Sequence, residues 1–124
     1  MEDQNKKTAI EFQTLVVQGK IDEAYEKYVD PNGKHHNAYS TAGFESLKIA
    51  MKDNEGQFPN KQFVVKNVVG DNDMVAIHSH IVLRAYTPGI IAVHLFKFQH
   101  GKIIEMWDCA QAIPEQNQNQ DGVF

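Results

Sequence analysis

The sequence predicts an α+β fold, with three N-terminal helices packed on one face of a curved, mainly antiparallel sheet. Apolar residues recur at three- and four-residue steps up to about Asn54, then alternate from Gln62 onward, and clusters of Gly, Pro, Asn and Asp separate the segments. Helices first and consecutive strands afterwards place the helices together on one side of the sheet. The chain of 124 residues, about 42% hydrophobic, is the length of one domain, here spanning 1–124 with a polar tail over 115–124.

Ala9, Phe12, Leu15 and Val16 fall at helical spacing, and Gly19 is placed to end this first helix. A second helix starts near Ile21 and carries Ala24, Tyr25 and Tyr28 on one side, until Asp30-Pro31-Asn32-Gly33 breaks it. Phe44, Leu47, Ala50 and Met51 form the apolar stripe of a third helix, from about Gly43 to Asn54. Strands are then expected at Gln62 to Val69, Met74 to Arg84, Ile90 to Gln99 and Lys102 to Gln111, with Gly70-Asp71-Asn72-Asp73 turning the first into the second.

His80, His94 and Asp108 stand fourteen residues apart on the last three strands, so the registers of two hairpins decide whether they meet. In Gln99-His100-Gly101-Lys102, glycine in third place suits a turn with a bulge, setting Phe98 against Ile104, Phe96 against Met106 and His94 against Asp108. A tight two-residue turn would pair His94 with Trp107 and send Asp108 to the other face. The link Ala85-Tyr86-Thr87-Pro88-Gly89 is longer; His80 falls opposite His94 only if the turn centres on Thr87.

The net charge is -4 and the pI near 5.8, with one arginine, Arg84, and eleven scattered lysines. That balance argues against nucleic acid and anionic membrane as partners. The polar start from Met1 to Lys7 lacks the apolar run of a signal peptide, and no stretch approaches membrane-spanning length, so a soluble, cytoplasmic protein is expected. Cys109 has no internal partner and reads as a small buried apolar residue.

Both strand faces are substantially apolar, Ile77, Ile81, Val93, Leu95 and Trp107 being assigned to one and Val82, Phe96, Phe98 and Met106 to the other. Three helices cover one face, so the second calls for a homodimer through the sheet.

Several segments together resemble the SnoaL-like polyketide cyclase family of the nuclear transport factor 2-like superfamily, over nearly the whole chain. They are Gly33-Lys34-His35-His36-Asn37-Ala38-Tyr39, the run from Gly70 to Ser79, Val93 to Phe98 with Gly101 to Asp108, and Ile113-Pro114-Glu115 through Gly122-Val123-Phe124. The resemblance implies a cone in which a strongly bent sheet and the helices enclose a deep, mostly apolar pocket, usually in a dimer. It also implies that Asp108 acts as general acid and base, with His94 beside it. Ala38 replaces the usual proline after the histidine-asparagine pair.

The expected function is cofactor-independent acid/base proton transfer, of the aldol cyclisation or isomerisation type, on a small hydrophobic carbonyl compound. Asp108, His94 and His80 are the candidate catalytic residues, with His80 as polariser. His36, Asn37, His78, Phe96 and Met106 are the candidate substrate contacts. The resemblance puts His36 and Asn37 at the pocket mouth, whereas turn and cap chemistry before the third helix is their plain alternative. Two histidines and an aspartate also suit a metal triad, but nothing beyond residue type asks for one, and no metal or cofactor is expected. Two rival readings are a binding protein that holds its ligand unchanged, and a scaffold whose cavity Phe96, Phe98 and Met106 fill.

Overall fold

The computed structural model describes residues 2–124, so Met1 of the polar start lies outside it. Helices α1 (Glu2–Val17) and α2 (Ile21–Tyr28) lead into strand β1 (Val29–His35), followed by α3 (Phe44–Gln57) and strands β2 (Gln62–Asp71), β3 (Met74–Val82), β4 (Ile90–Gln99) and β5 (Lys102–Ala112). Gly19 ends α1 as expected. At φ 85° it allows the N–H of Lys20 to donate to the Leu15 carbonyl while its own N–H donates to Val16.

Strand β1 is the element the sequence does not predict, because Asp30-Pro31-Asn32-Gly33 has the composition of a turn. The sheet order is β1-β5-β4-β3-β2, with β1 parallel to β5 and every other pair antiparallel, and the sheet is open. At an edge, Pro31 leaves no ladder bond unmade. Pairing is interrupted between Val29, opposite Ile103, and Lys34, opposite Glu105, and the Asp30 carboxylate accepts from the Asn32 N–H across this arch. Gly33 is required here, since a Cβ would collide with the Ile104 carbonyl and the Phe44 ring.

The last hairpin reaches the expected pairing by another route. Gln99 pairs with Lys102 across a two-residue turn in which His100 (φ 53°) and Gly101 (φ 77°) are both left-handed. Phe98 therefore faces Ile103, not Ile104. The extra residue is Ile104: Lys97 already pairs with Glu105, and this bulge restores Phe96 to Met106 and His94 to Asp108.

The first hairpin departs from expectation. His80 pairs with Ile91, and His94 pairs with Ile77. Regular pairing stops at Ile81–Ile90, Leu83 and Arg84 join the loop, and His80 meets Ile91, three residues short of His94. The displacement from the Thr87-centred register is odd, so it exchanges faces. Ile77 and Ile81 consequently share a face with Phe96, Phe98 and Met106, while Val82 joins Val93, Leu95 and Trp107.

The helices cover the first of these faces. Ala9 and Phe12 of α1, Ala24 and Tyr25 of α2, and Phe44 and Leu47 of α3 close a buried core with Val75, Ile77, Phe96, Phe98 and Ile103. Phe12 stands edge-on to both Tyr25 and Phe96, with centroids 5.3 and 5.9 Å away. On the other face Val93, Val64 and Val69 are exposed, and so is Cys109, whose place opposite Val93 puts it outside the core expected for it. The polar tail returns to that face, where the Phe124 ring lies 4.8 Å from His80 and 5.7 Å from His78. Among the described residues, no helix is long and apolar enough to cross a membrane.

Candidate active site

A cavity of about 440 Å³ lies between the helices and the covered face of the sheet. Phe12, Val16, Leu47 and Met51 supply an apolar helical wall. Ile81, Ile90, Ala92 and Met106 supply much of the sheet wall. Polar groups gather where β4, β5 and the segment after β1 meet: His94, Asp108 and Asn37 all line the cavity.

Asp108 and His94 face the cavity together because they are direct cross-strand partners. The Asn37 amide donates to both carboxylate oxygens of Asp108, at 3.1 Å each. Asn37 is itself fixed: its Oδ1 accepts from the Tyr39 N–H at 2.9 Å, and its own N–H donates to His35 Nδ1 at 3.1 Å. His35 is buried and donates from Nε2 to the Thr41 carbonyl at 2.8 Å, which assigns its tautomer. The chain from β1 to α3 thus holds Asp108 from outside the sheet.

His94 is half-buried in the cavity wall, and its ring stacks on Phe96 with centroids 6.1 Å apart. Burial holds its imidazole below the ordinary histidine pKa, against an opposing pull from the Asp108 charge. The neutral ring is therefore the favoured form. Its Nδ1 is buried without a hydrogen-bond partner among the described residues. Tyr25, which donates to Met51 Sδ at 3.2 Å, has its pKa pushed up by burial first and by the Asp108 charge second, so its phenol stays neutral.

The other sequence-derived candidates divide. Met106 lines the cavity, as does Asn37. His80 does not, because the register turns it to the opposite face, where its Nε2 donates to the Pro88 carbonyl at 2.7 Å. His78 shares that face and accepts at Nδ1 from the Asn67 amide at 3.0 Å. His36 lies outside the cavity wall, stacked on Trp107 at 5.2 Å and bonded to Glu105 at 2.6 Å. Phe96 is fully buried behind the wall, between Phe12 and His94. The expected row of three is a pair plus Asn37, and His80, on the opposite face of the sheet, does not complete a metal triad with it. Among the described residues no group of three or more His, Cys, Asp or Glu is placed to hold a metal ion.

A buried polar residue of the cavity wall escaped the sequence reading. Gln13 of α1 is 5% exposed and lines the cavity, with its Oε1 buried and without a partner among the described residues. The signal was present: Ala9, Phe12, Gln13 and Val16 follow the i, i+3, i+4, i+7 pattern, which sets a polar amide within the apolar stripe.

No family model matches the sequence, and no curated protein matches it. Solved structures do. A candidate SnoaL-like polyketide cyclase from Jannaschia sp. CCS1 is similar over 89% of this chain and 87% of its own, with a TM-score of 0.71 and 20% identity. AclR, a candidate hydroxylase from Streptomyces galilaeus, is similar over 90% and 91%, at TM-score 0.76 and 16% identity. A nuclear transport factor 2-like protein of unknown function from Burkholderia xenovorans LB400 is similar over 94% and 90%, at TM-score 0.75 and 15% identity. The chain has the nuclear transport factor 2-like fold. At these identities the likeness establishes the fold and leaves the chemistry to be argued from the site.

Proposed function

We propose that this protein catalyses proton transfer next to the carbonyl of a small hydrophobic compound held in the cavity, with Asp108 as the acid/base. The observation that carries this reading is the Asp108 carboxylate at an otherwise largely apolar cavity, opposite His94 and gripped through both oxygens by Asn37. A carboxylate fixed in this way is preorganised as a base: it removes the α-proton and returns it to another carbon or oxygen of the same molecule. His94, neutral at pH 7, serves as a hydrogen-bond donor to the developing enolate, a role that needs an N–H and no net charge. His80 is left out of this mechanism. The partly apolar open face, with Val93 and Trp107, is the surface through which a homodimer forms.

The test uses α-proton exchange, which needs no knowledge of the natural substrate. The protein is incubated with 2-acetylnaphthalene in D2O, and loss of the methyl signal is followed by NMR. Wild type accelerates exchange, and Asp108→Asn lowers the rate by about 10²- to 10⁴-fold. A wild-type protein that binds the ketone and returns it unexchanged is a carrier and ends the catalytic reading.

A further inference from the structure

We propose that Gln13 is a specificity-determining residue, and that the cavity's ligand carries a hydroxyl which meets this side chain while its carbonyl lies at the Asp108 end; the inference rests on the cavity being the functional site. Gln13 is more than nine-tenths buried, its Oε1 has no partner among the described residues, and it stands beside Phe12 and Val16 in the apolar helical wall. An apolar stripe gains nothing from an amide there, because an unpaired buried polar group opposes folding. Thr14, next along the helix, bonds back to the Ile10 carbonyl, whereas no such local bond quiets the Gln13 oxygen. A polar group kept at such a position has its partner in the occupant of the cavity.

The chemistry of that partner follows from the amide. An amide presents one acceptor and two donors, and its two ends exchange by a half-turn. A hydroxyl both donates and accepts, so it satisfies Gln13 in either orientation. The polar cluster of Asn37, Asp108 and His94 comes from β4, β5 and the segment that follows β1, and Gln13 comes from α1 on the helical side. The ligand class is therefore a hydrophobic hydroxy-ketone with its two oxygens at separate ends of the molecule.

The experiment compares two probes, 6-hydroxy-2-acetylnaphthalene and 2-acetylnaphthalene, by calorimetric titration into wild type, Gln13→Met, Gln13→Leu and Asp108→Asn. Wild type is expected to bind the hydroxy-ketone about fivefold more tightly, and both Gln13 variants to bind the two probes equally. Because methionine removes the unpaired amide, Gln13→Met is also expected to raise Tm by about 3 °C. Equal affinities in wild type, or a preference that survives in Gln13→Met, overturn the assignment. So does a Gln13→Met protein that melts below wild type, since its amide is then paired within the fold. If both probes bind wild type equally yet Asp108→Asn weakens both, the cavity stands and only the hydroxyl subsite fails. If neither probe binds wild type, the cavity reading and the subsite fail together.

Discussion

The two faces of the sheet treat histidine in opposite ways. On the covered face His94 lines the cavity, stacked on Phe96 and held toward its neutral form by burial, with Asp108 as its cross-strand partner. On the open face His78 and His80 bond to Asn67 and to the Pro88 carbonyl and receive the Phe124 ring. All three sit within neighbouring strands of similar composition. What separates them is parity, since one odd slip along the β3–β4 ladder would carry His78 and His80 into the cavity.

The comparison breaks most visibly at Asn37. Replacing it by alanine removes both hydrogen bonds to Asp108, each of the charge-assisted kind that contributes about 1.5–3 kcal/mol. Asn37→Ala is expected to slow α-proton exchange by about 10- to 100-fold, while Asn67→Ala, which removes the partner of His78, leaves the rate within about twofold. Rate constants at saturating ketone check this.

Stability against pH sharpens the contrast next. The folded pKa of His94 is depressed, so the unfolded chain binds the proton more readily. The stabilisation is complete above the unfolded value of about 6.5 and is lost as pH falls below it. A single such proton contributes up to about 1.4 kcal/mol per pH unit. Urea unfolding between pH 7.5 and 5 should show wild-type stability falling with acid, and His94→Phe should flatten that slope. The tail contributes less: Phe124 is 43% exposed, so Phe124→Ala should cost about 1 kcal/mol or less by the same urea assay and leave exchange unchanged.

Much of this arrangement was legible in the sequence, and the rest was hidden for identifiable reasons. The bounds of β4 and the pairing of His94 with Asp108 followed from alternation and from Gly101. The pairing survived a wrong turn type only because a bulge at Ile104 supplied the residue that the tighter turn removed. Strand β1 was hidden because its ladder is interrupted by the arch that Pro31 and Gly33 build, and its partner lies some seventy residues away in β5. The β3–β4 register was not legible because the loop between Val82 and Ile90 is long, and its geometry rests on Tyr86 and Gly89 in left-handed conformations and on Thr87 bonding back to Arg84. Asn37 was legible as a candidate through resemblance, but its grip on Asp108 depends on a loop whose path no periodicity encodes. Gln13 was missed, because the apolar stripe was followed through Ala9, Phe12, Leu15 and Val16 without the polar residue set within it.

The central claim is that the reaction centre lies on the covered face and excludes the histidines of the open one. Its most direct test is the rate of α-proton exchange in 2-acetylnaphthalene, measured side by side for wild type, Asp108→Asn and His80→Gln. The account predicts a rate in His80→Gln within about twofold of wild type and a loss of about 10²-fold or more in Asp108→Asn. Exchange that persists in Asp108→Asn, or that disappears in His80→Gln while the protein remains folded, would contradict it.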